Sequence, residues 1–94
     1  MKKLTLCIGL LCGLSLVAQG QSNITLGNNV LTNNTTGFQN IGIGGSALYN
    51  NTTGSYNVVT GYNGLYKNTT GYENTAVGNY TLYNNTTGIQ NVGI

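Results

Sequence analysis

The sequence predicts an all-β solenoid, on three observations. The first is a period of 17 residues: Gly20, Gly37, Gly54, Gly71 and Gly88 stand 17 apart without a slip. The second is the return of aliphatic, mostly β-branched residues at fixed places in each period. The third is a composition of Gly, Asn, Thr and Tyr that forms helices poorly and carries no 3.6-residue stripe. The four complete units read GQSNITLGNNVLTNNTT, GFQNIGIGGSALYNNTT, GSYNVVTGYNGLYKNTT and GYENTAVGNYTLYNNTT, and GIQNVGI begins a fifth. A period in the teens is too short for a pair of helices and suits one solenoid coil, each coil resting on its neighbours.

Numbering each unit from its glycine gives the expected elements in order. Place four is always Asn: Asn23, Asn40, Asn57, Asn74 and Asn91. Places five to seven read as a short strand, since β-branched residues suit a pleated surface. Its fifth-place residues are Ile24, Ile41, Val58, Thr75 and Val92, and its seventh are Leu26, Ile43, Thr60, Val77 and Ile94. Places five and seven share one face, and the smaller sixth place (Thr25, Gly42, Val59, Ala76, Gly93) points the other way. Place eight is Gly (Gly27, Gly44, Gly61, Gly78), where the chain is expected to turn. A second strand is expected over places eleven to thirteen, centred on Leu31, Leu48, Leu65 and Leu82. Asn-Asn-Thr-Thr then turns the chain into the next unit, with Lys67 replacing the first Asn once. The expected core is therefore Ile24, Leu26, Leu31, Ile41, Ile43, Leu48, Val58, Leu65, Val77, Leu82, Val92 and Ile94.

Residues 1–20 read as a secretory signal peptide and residues 21–94 as the repeat region. Lys2 and Lys3 precede an apolar stretch from Leu4 to Val17, too short to span a bilayer comfortably, and Ala18-Gln19-Gly20 offers a cleavage site. The expected location is outside the cell, secreted or on its surface, with no membrane span in the mature chain. Both cysteines, Cys7 and Cys12, fall in this leader, so no disulfide scaffold is expected after export. The chain stops partway through a unit and reads as the front of a longer fibre protein or a truncated product.

Charge and side-chain chemistry exclude most activities. Beyond the leader only Lys67 and Glu73 are charged, and the chain has no His, Asp or Arg. Such a surface has no electrostatic footprint for nucleic acid. One carboxylate with no His and no mature Cys cannot build an acid–base pair, an activated nucleophile or a metal cluster. No enzyme activity, cofactor or metal is expected. Ser22, Ser46 and Ser55 lack a base, and Gly42-Ile43-Gly44-Gly45 precedes no helix that would make it a phosphate loop.

Three weaker patterns remain. Tyr49, Tyr66 and Tyr83 form a column that could stack on sugar rings, or pack on itself or in a seam between chains. Asn-x-Thr sequons recur, as at Asn34, Asn51, Asn68 and Asn85, and are read as turn chemistry. Paired threonines, as at Thr52-Thr53, could form flat ice-binding ranks but fall in an expected turn. The apolar column is thin for the chain it must order, which favours winding beside further copies.

Gln39-Asn40-Ile41-Gly42-Ile43-Gly44, Glu73-Asn74-Thr75-Ala76-Val77-Gly78 and Gln90-Asn91-Val92-Gly93-Ile94 resemble the Asn-x-Ala-Ile-Gly core of head repeats in YadA-type trimeric autotransporter adhesins. With the trailing Ala47-Leu48-Tyr49-Asn50-Asn51-Thr52-Thr53-Gly54, the chain is similar to long-unit repeats of secreted fibre proteins that often end in an endosialidase-type (peptidase S74) chaperone domain. The resemblance covers nearly all of residues 20–94. It implies a left-handed parallel β-roll assembled as a homotrimer on an exported bacterial fibre, meeting a surface glycan or protein. The unit here is longer than the usual head repeat, so the Asn-Asn-Thr-Thr segment is expected to bulge outward. The expected function is a structural and adhesive repeat module. The alternatives are a self-assembling amyloid-like matrix subunit, favoured by Asn-rich, proline-free strands, and a carbohydrate-binding solenoid.

Overall fold

The computed structural model describes residues 22–94, so the expected signal peptide lies outside the described residues. Each unit contributes one short strand: β1 (Ile24–Leu26), β2 (Ile41–Ile43), β3 (Val58–Thr60), β4 (Thr75–Val77) and β5 (Val92–Gly93). They pair in chain order into one five-stranded parallel sheet, and the described residues contain no helix. The register is strict, with Ile24 opposite Ile41, Ile41 opposite Val58, Val58 opposite Thr75 and Thr75 opposite Val92. Like places therefore stack on like places, and a column in the sequence becomes a column in space.

The inward face of the sheet corrects the sequence expectation. The small sixth place points into the core, with Val59 and Ala76 at 0 % exposure. Their neighbours in places five and seven stand outside: Ile43, Val58 and Val77 are 36 %, 37 % and 45 % exposed. Ile24, Leu26, Val92 and Ile94 are exposed as well, and Ile41 is half-buried. Eight of the twelve expected core residues thus line the outer face. The core consists of Leu31, Ala47, Leu48, Val59, Leu65 and Ala76, with Val30 and Leu82 packed against it.

The physical reason is width. The chain returns so close behind the sheet that only small side chains fit between. A Cβ built on Gly42 would lie 2.5 Å from the Val30 Cγ1, and one on Gly64 would lie 2.5 Å from the Val59 Cγ1. Larger β-branched residues at the sixth place of every unit would overfill that gap.

The second expected strand is absent. Places eleven to thirteen lie in a run of turns, and the leucines there hold left-handed backbone: φ is 53° at Leu31, 54° at Leu48, 48° at Leu65 and 52° at Leu82. Left-handed geometry recurs at places three and ten, as at Gln39 (φ 55°) and Ser46 (φ 58°). For an L-residue it costs roughly 1–2 kcal/mol. At most of these sites the backbone N–H bonds to an adjacent unit. Leu48 N–H donates forward to the Gly64 carbonyl at 3.0 Å, while Ser46 N–H donates back to Asn28 at 2.8 Å and Tyr56 N–H back to Phe38 at 3.1 Å. The turns are thus tied between units as the strands are. The eighth-place turn matches expectation, with φ between 120° and 140° at Gly27, Gly44, Gly61 and Gly78.

Candidate functional site

Two columns of asparagine join the units from within. At place four, Asn40, Asn57 and Asn74 are fully buried. Asn57 shows the pattern. Its Nδ2 donates to Asn40 Oδ1 at 3.1 Å and to the Gly71 carbonyl at 2.9 Å. Its Oδ1 accepts from the backbone N–H of Asn74 at 3.0 Å and from Asn74 Nδ2 at 3.1 Å. Four bonds satisfy the amide's full capacity, so it can sit in a dry core. At place fifteen, Asn51 and Asn68 are also fully buried. Asn68 Nδ2 donates to Asn51 Oδ1 at 2.9 Å and to the Gly71 carbonyl at 3.0 Å, and Asn85 Nδ2 donates in turn to Asn68 Oδ1 at 2.8 Å.

This second ladder corrects one expectation. The Asn-Asn-Thr-Thr segment does not bulge outward at its second Asn, which points into the interior. The sequon nitrogens of Asn34, Asn51, Asn68 and Asn85 all donate to the Gly carbonyl three residues on, and those of Asn51, Asn68 and Asn85 also to the preceding asparagine. In the folded chain those nitrogens are engaged. Of the paired threonines, Thr35, Thr52 and Thr69, each the first of its pair, donate their Oγ1 to the next unit's backbone at 3.0, 3.1 and 3.2 Å. The second, Thr36, Thr53, Thr70 and Thr87, is exposed.

The outer face of the sheet is the first candidate interaction surface. Strand alternation sends places five and seven outward from every unit, and the parallel register aligns them into two ranks. One rank is Ile24, Ile41, Val58, Thr75 and Val92, and the other Leu26, Ile43, Thr60, Val77 and Ile94. No charged residue belongs to either rank. Eight of the ten are aliphatic, with Thr75 in one rank and Thr60 in the other, and an aligned apolar patch marks a contact surface more often than isolated apolar residues do.

The tyrosine column is the second. Tyr49, Tyr66 and Tyr83 are half-buried and stack on one another. The Tyr49–Tyr66 rings lie 5.1 Å apart at 8°, and Tyr66–Tyr83 5.2 Å apart at 7°. Tyr80 extends the group, 5.5 Å from Tyr83, and packs edge-on against Tyr62 at 5.7 Å and 77°. The Lys67 ammonium stands 5.5 Å from the centre of the Tyr83 ring. Both faces of Tyr66 are covered by its neighbours. A sugar ring stacking on this column is left with the ladder's ends and edges.

Glu73 is exposed, and its Oε1 accepts a bond from Gln90 Nε2 at 3.5 Å. Among the described residues no three of His, Cys, Asp or Glu gather into a metal site, and no helix is long and apolar enough to cross a membrane. The comparisons place nothing beside this chain: no family model, no curated protein and no solved structure matches it.

Proposed function

We propose that residues 21–94 form a left-handed parallel β-solenoid of 17-residue coils that serves as a structural and adhesive module of an exported, homotrimeric fibre. The observation that carries this reading is the pair of outward ranks. They are uncharged, aligned along the described length, and, apart from Thr60 and Thr75, made of aliphatic side chains that gain by leaving water. A second copy of the same strip matches their spacing without adjustment, because both repeat at the same inter-strand distance. The resemblance of Gln39–Gly44 and Gln90–Ile94 to trimeric adhesin heads points to three copies rather than two. Display and adhesion are the role this reading assigns, in keeping with a sequence that from residue 21 onward offers no His or Cys and a single carboxylate side chain, Glu73.

Sedimentation equilibrium of the chain tests this. Discrete trimers are expected. Lysine in the ranks, at Ile43 and Val58 together, is expected to give monomers that keep their β-sheet circular dichroism. Monomers of the unaltered chain at high concentration would overturn the trimer. A second reading has its own observation: parallel, in-register strands with asparagine ladders are the arrangement of cross-β fibrils. Filaments that bind thioflavin and seed further growth would favour a self-assembling matrix subunit. Binding to a glycan array, and its loss on Tyr49→Ala and Tyr83→Ala, would identify the adhesive target as carbohydrate.

A further inference from the structure

We propose that the tyrosine ladder is a site of oxidative cross-linking, in which Tyr66 couples to Tyr49 or Tyr83 and staples consecutive units covalently. The inference rests on ring geometry and does not depend on whether the outer ranks are covered. Rings that are nearly parallel, 5.1 Å and 5.2 Å apart, and borne by residues in the same register are related almost by translation along the stack. In rings so related, each Cε carbon has the Cε of the next ring as its counterpart at about the centroid spacing, and a small closing movement brings the two together. These are the ring positions ortho to the phenol oxygen, where a phenoxyl radical carries spin.

The step requires a one-electron oxidant, of the class of a peroxidase supplied with hydrogen peroxide. Each of the two phenols gives up one electron and its hydroxyl proton. The resulting phenoxyl radicals join through one Cε from each ring, forming one carbon–carbon bond. The hydrogen on each joined carbon is then lost to solvent as its phenol oxygen regains a proton, which restores both aromatic rings. The protein loses two hydrogen atoms in all, and one hydrogen peroxide takes them up to become two waters.

Orientation selects the pair. The new bond grows from p orbitals that stand perpendicular to each ring, so parallel rings bring those orbitals into line as they close together and edge-on rings do not. Tyr49–Tyr66 and Tyr66–Tyr83 meet this requirement at 8° and 7°, whereas Tyr62–Tyr80 at 77° and Phe38–Tyr56 at 71° do not. The ladder is half-buried, so an oxidant reaches the rings at their edges while packing holds them in place. A bridge between residues 17 apart closes a loop in the unfolded chain as a disulfide would. No cysteine from residue 13 onward can do this.

The test is to treat the full chain, as an equal mixture of unlabelled and nitrogen-15-labelled protein, with peroxidase and hydrogen peroxide. Cross-linked peptides are then mapped by mass spectrometry. The expected product lacks two hydrogens, joins the Tyr66 peptide to that of Tyr49 or Tyr83, and carries a single isotope in both halves. Tyr66→Phe, which keeps the ring and loses the phenol, is expected to abolish it, and Tyr62→Phe to leave it unchanged. Should Tyr66→Phe fail to fold, the Tyr49→Phe, Tyr83→Phe double variant removes both partners of Tyr66 and is expected to abolish it as well. Products joining only peptides of different isotope, coupling that survives Tyr66→Phe in folded protein, or no coupling under conditions that couple a free tyrosine peptide would each overturn the proposal.

Discussion

Asn57 makes four hydrogen bonds through one side chain, two given and two accepted, with no solvent exposure. Replacing it by Ala strands the Asn74 N–H in the interior and removes one bond each from Asn40 Oδ1, Asn74 Nδ2 and the Gly71 carbonyl, which Asn68 Nδ2 still holds. A buried orphan costs ~1–3 kcal/mol, so with the other bonds lost Asn57→Ala is expected to lose about 2 kcal/mol or more in urea unfolding. Asn84→Ala, on the exposed surface, is the control and is expected to change stability by less than about 0.5 kcal/mol. The first-place glycines serve the same ladders. A Cβ on Gly54 would run into the Gly71 carbonyl and the Asn51 Oδ1, both on the fixed ladder. Gly54→Ala is therefore expected to destabilise by roughly 3 kcal/mol, the upper range for overpacking, as read by the shift in denaturation midpoint. The constancy of Asn at place four is plain in the sequence, but its role is not. Asparagine ordinarily belongs to turns, and only a partner of the same kind one unit away makes it a core residue.

The strand shows where a pattern can be read correctly and its direction inverted. Alternation at places five, six and seven is visible in the sequence, and β1 to β5 lie where the alternation places them. Which face is inside depends on the space behind the sheet, and that space is set by the returning chain. Places six and eleven share it: Val59 faces Gly64, while Gly42 lies against Val30 and Ala47. The pair behaves as one volume. Gly64→Ala alone is expected to cost ~1–3 kcal/mol by crowding the Val59 Cγ1. Val59→Ala made with it should recover part of that loss, giving a coupling of at least about 0.5 kcal/mol in a double-mutant cycle. Additive losses would refute a shared volume. The missing second strand has a related cause. Leucine at place twelve is apolar enough for a strand, but the chain must reverse within a few residues there. Left-handed backbone at Leu31, Leu48, Leu65 and Leu82 makes that reversal while keeping each side chain on the core.

Across the whole molecule, every described unit bonds to its neighbours through strand pairs, turn amides and side-chain ladders. Stability in such an array is mostly a sum of nearest-neighbour terms. A lesion in a middle unit is therefore expected to weaken both halves: in Asn57→Ala, hydrogen exchange should quicken at the β2, β3 and β4 amides together. Faster exchange confined to β3 would argue against coupling between units. The outer ranks belong to this scale as well. Lysine at Ile43 and Val58 removes little from the core of one chain, because both already face water. The double variant is expected to keep the monomer's fold while disrupting the proposed trimer, and sedimentation together with circular dichroism separates the two effects.

The sequence by itself determined the period, the strand positions, the eighth-place glycine turn and the Leu31, Leu48 and Leu65 column. Each follows from local propensity repeated in register, and repetition makes a weak local signal legible. Tertiary structure alone decided which strand face is buried, that the two asparagine columns are internal ladders, and that Tyr49, Tyr66 and Tyr83 cover one another's faces. These depend on how closely the returning chain approaches the sheet and on which residue stands 17 places away in space. Neither distance is a property of any one unit.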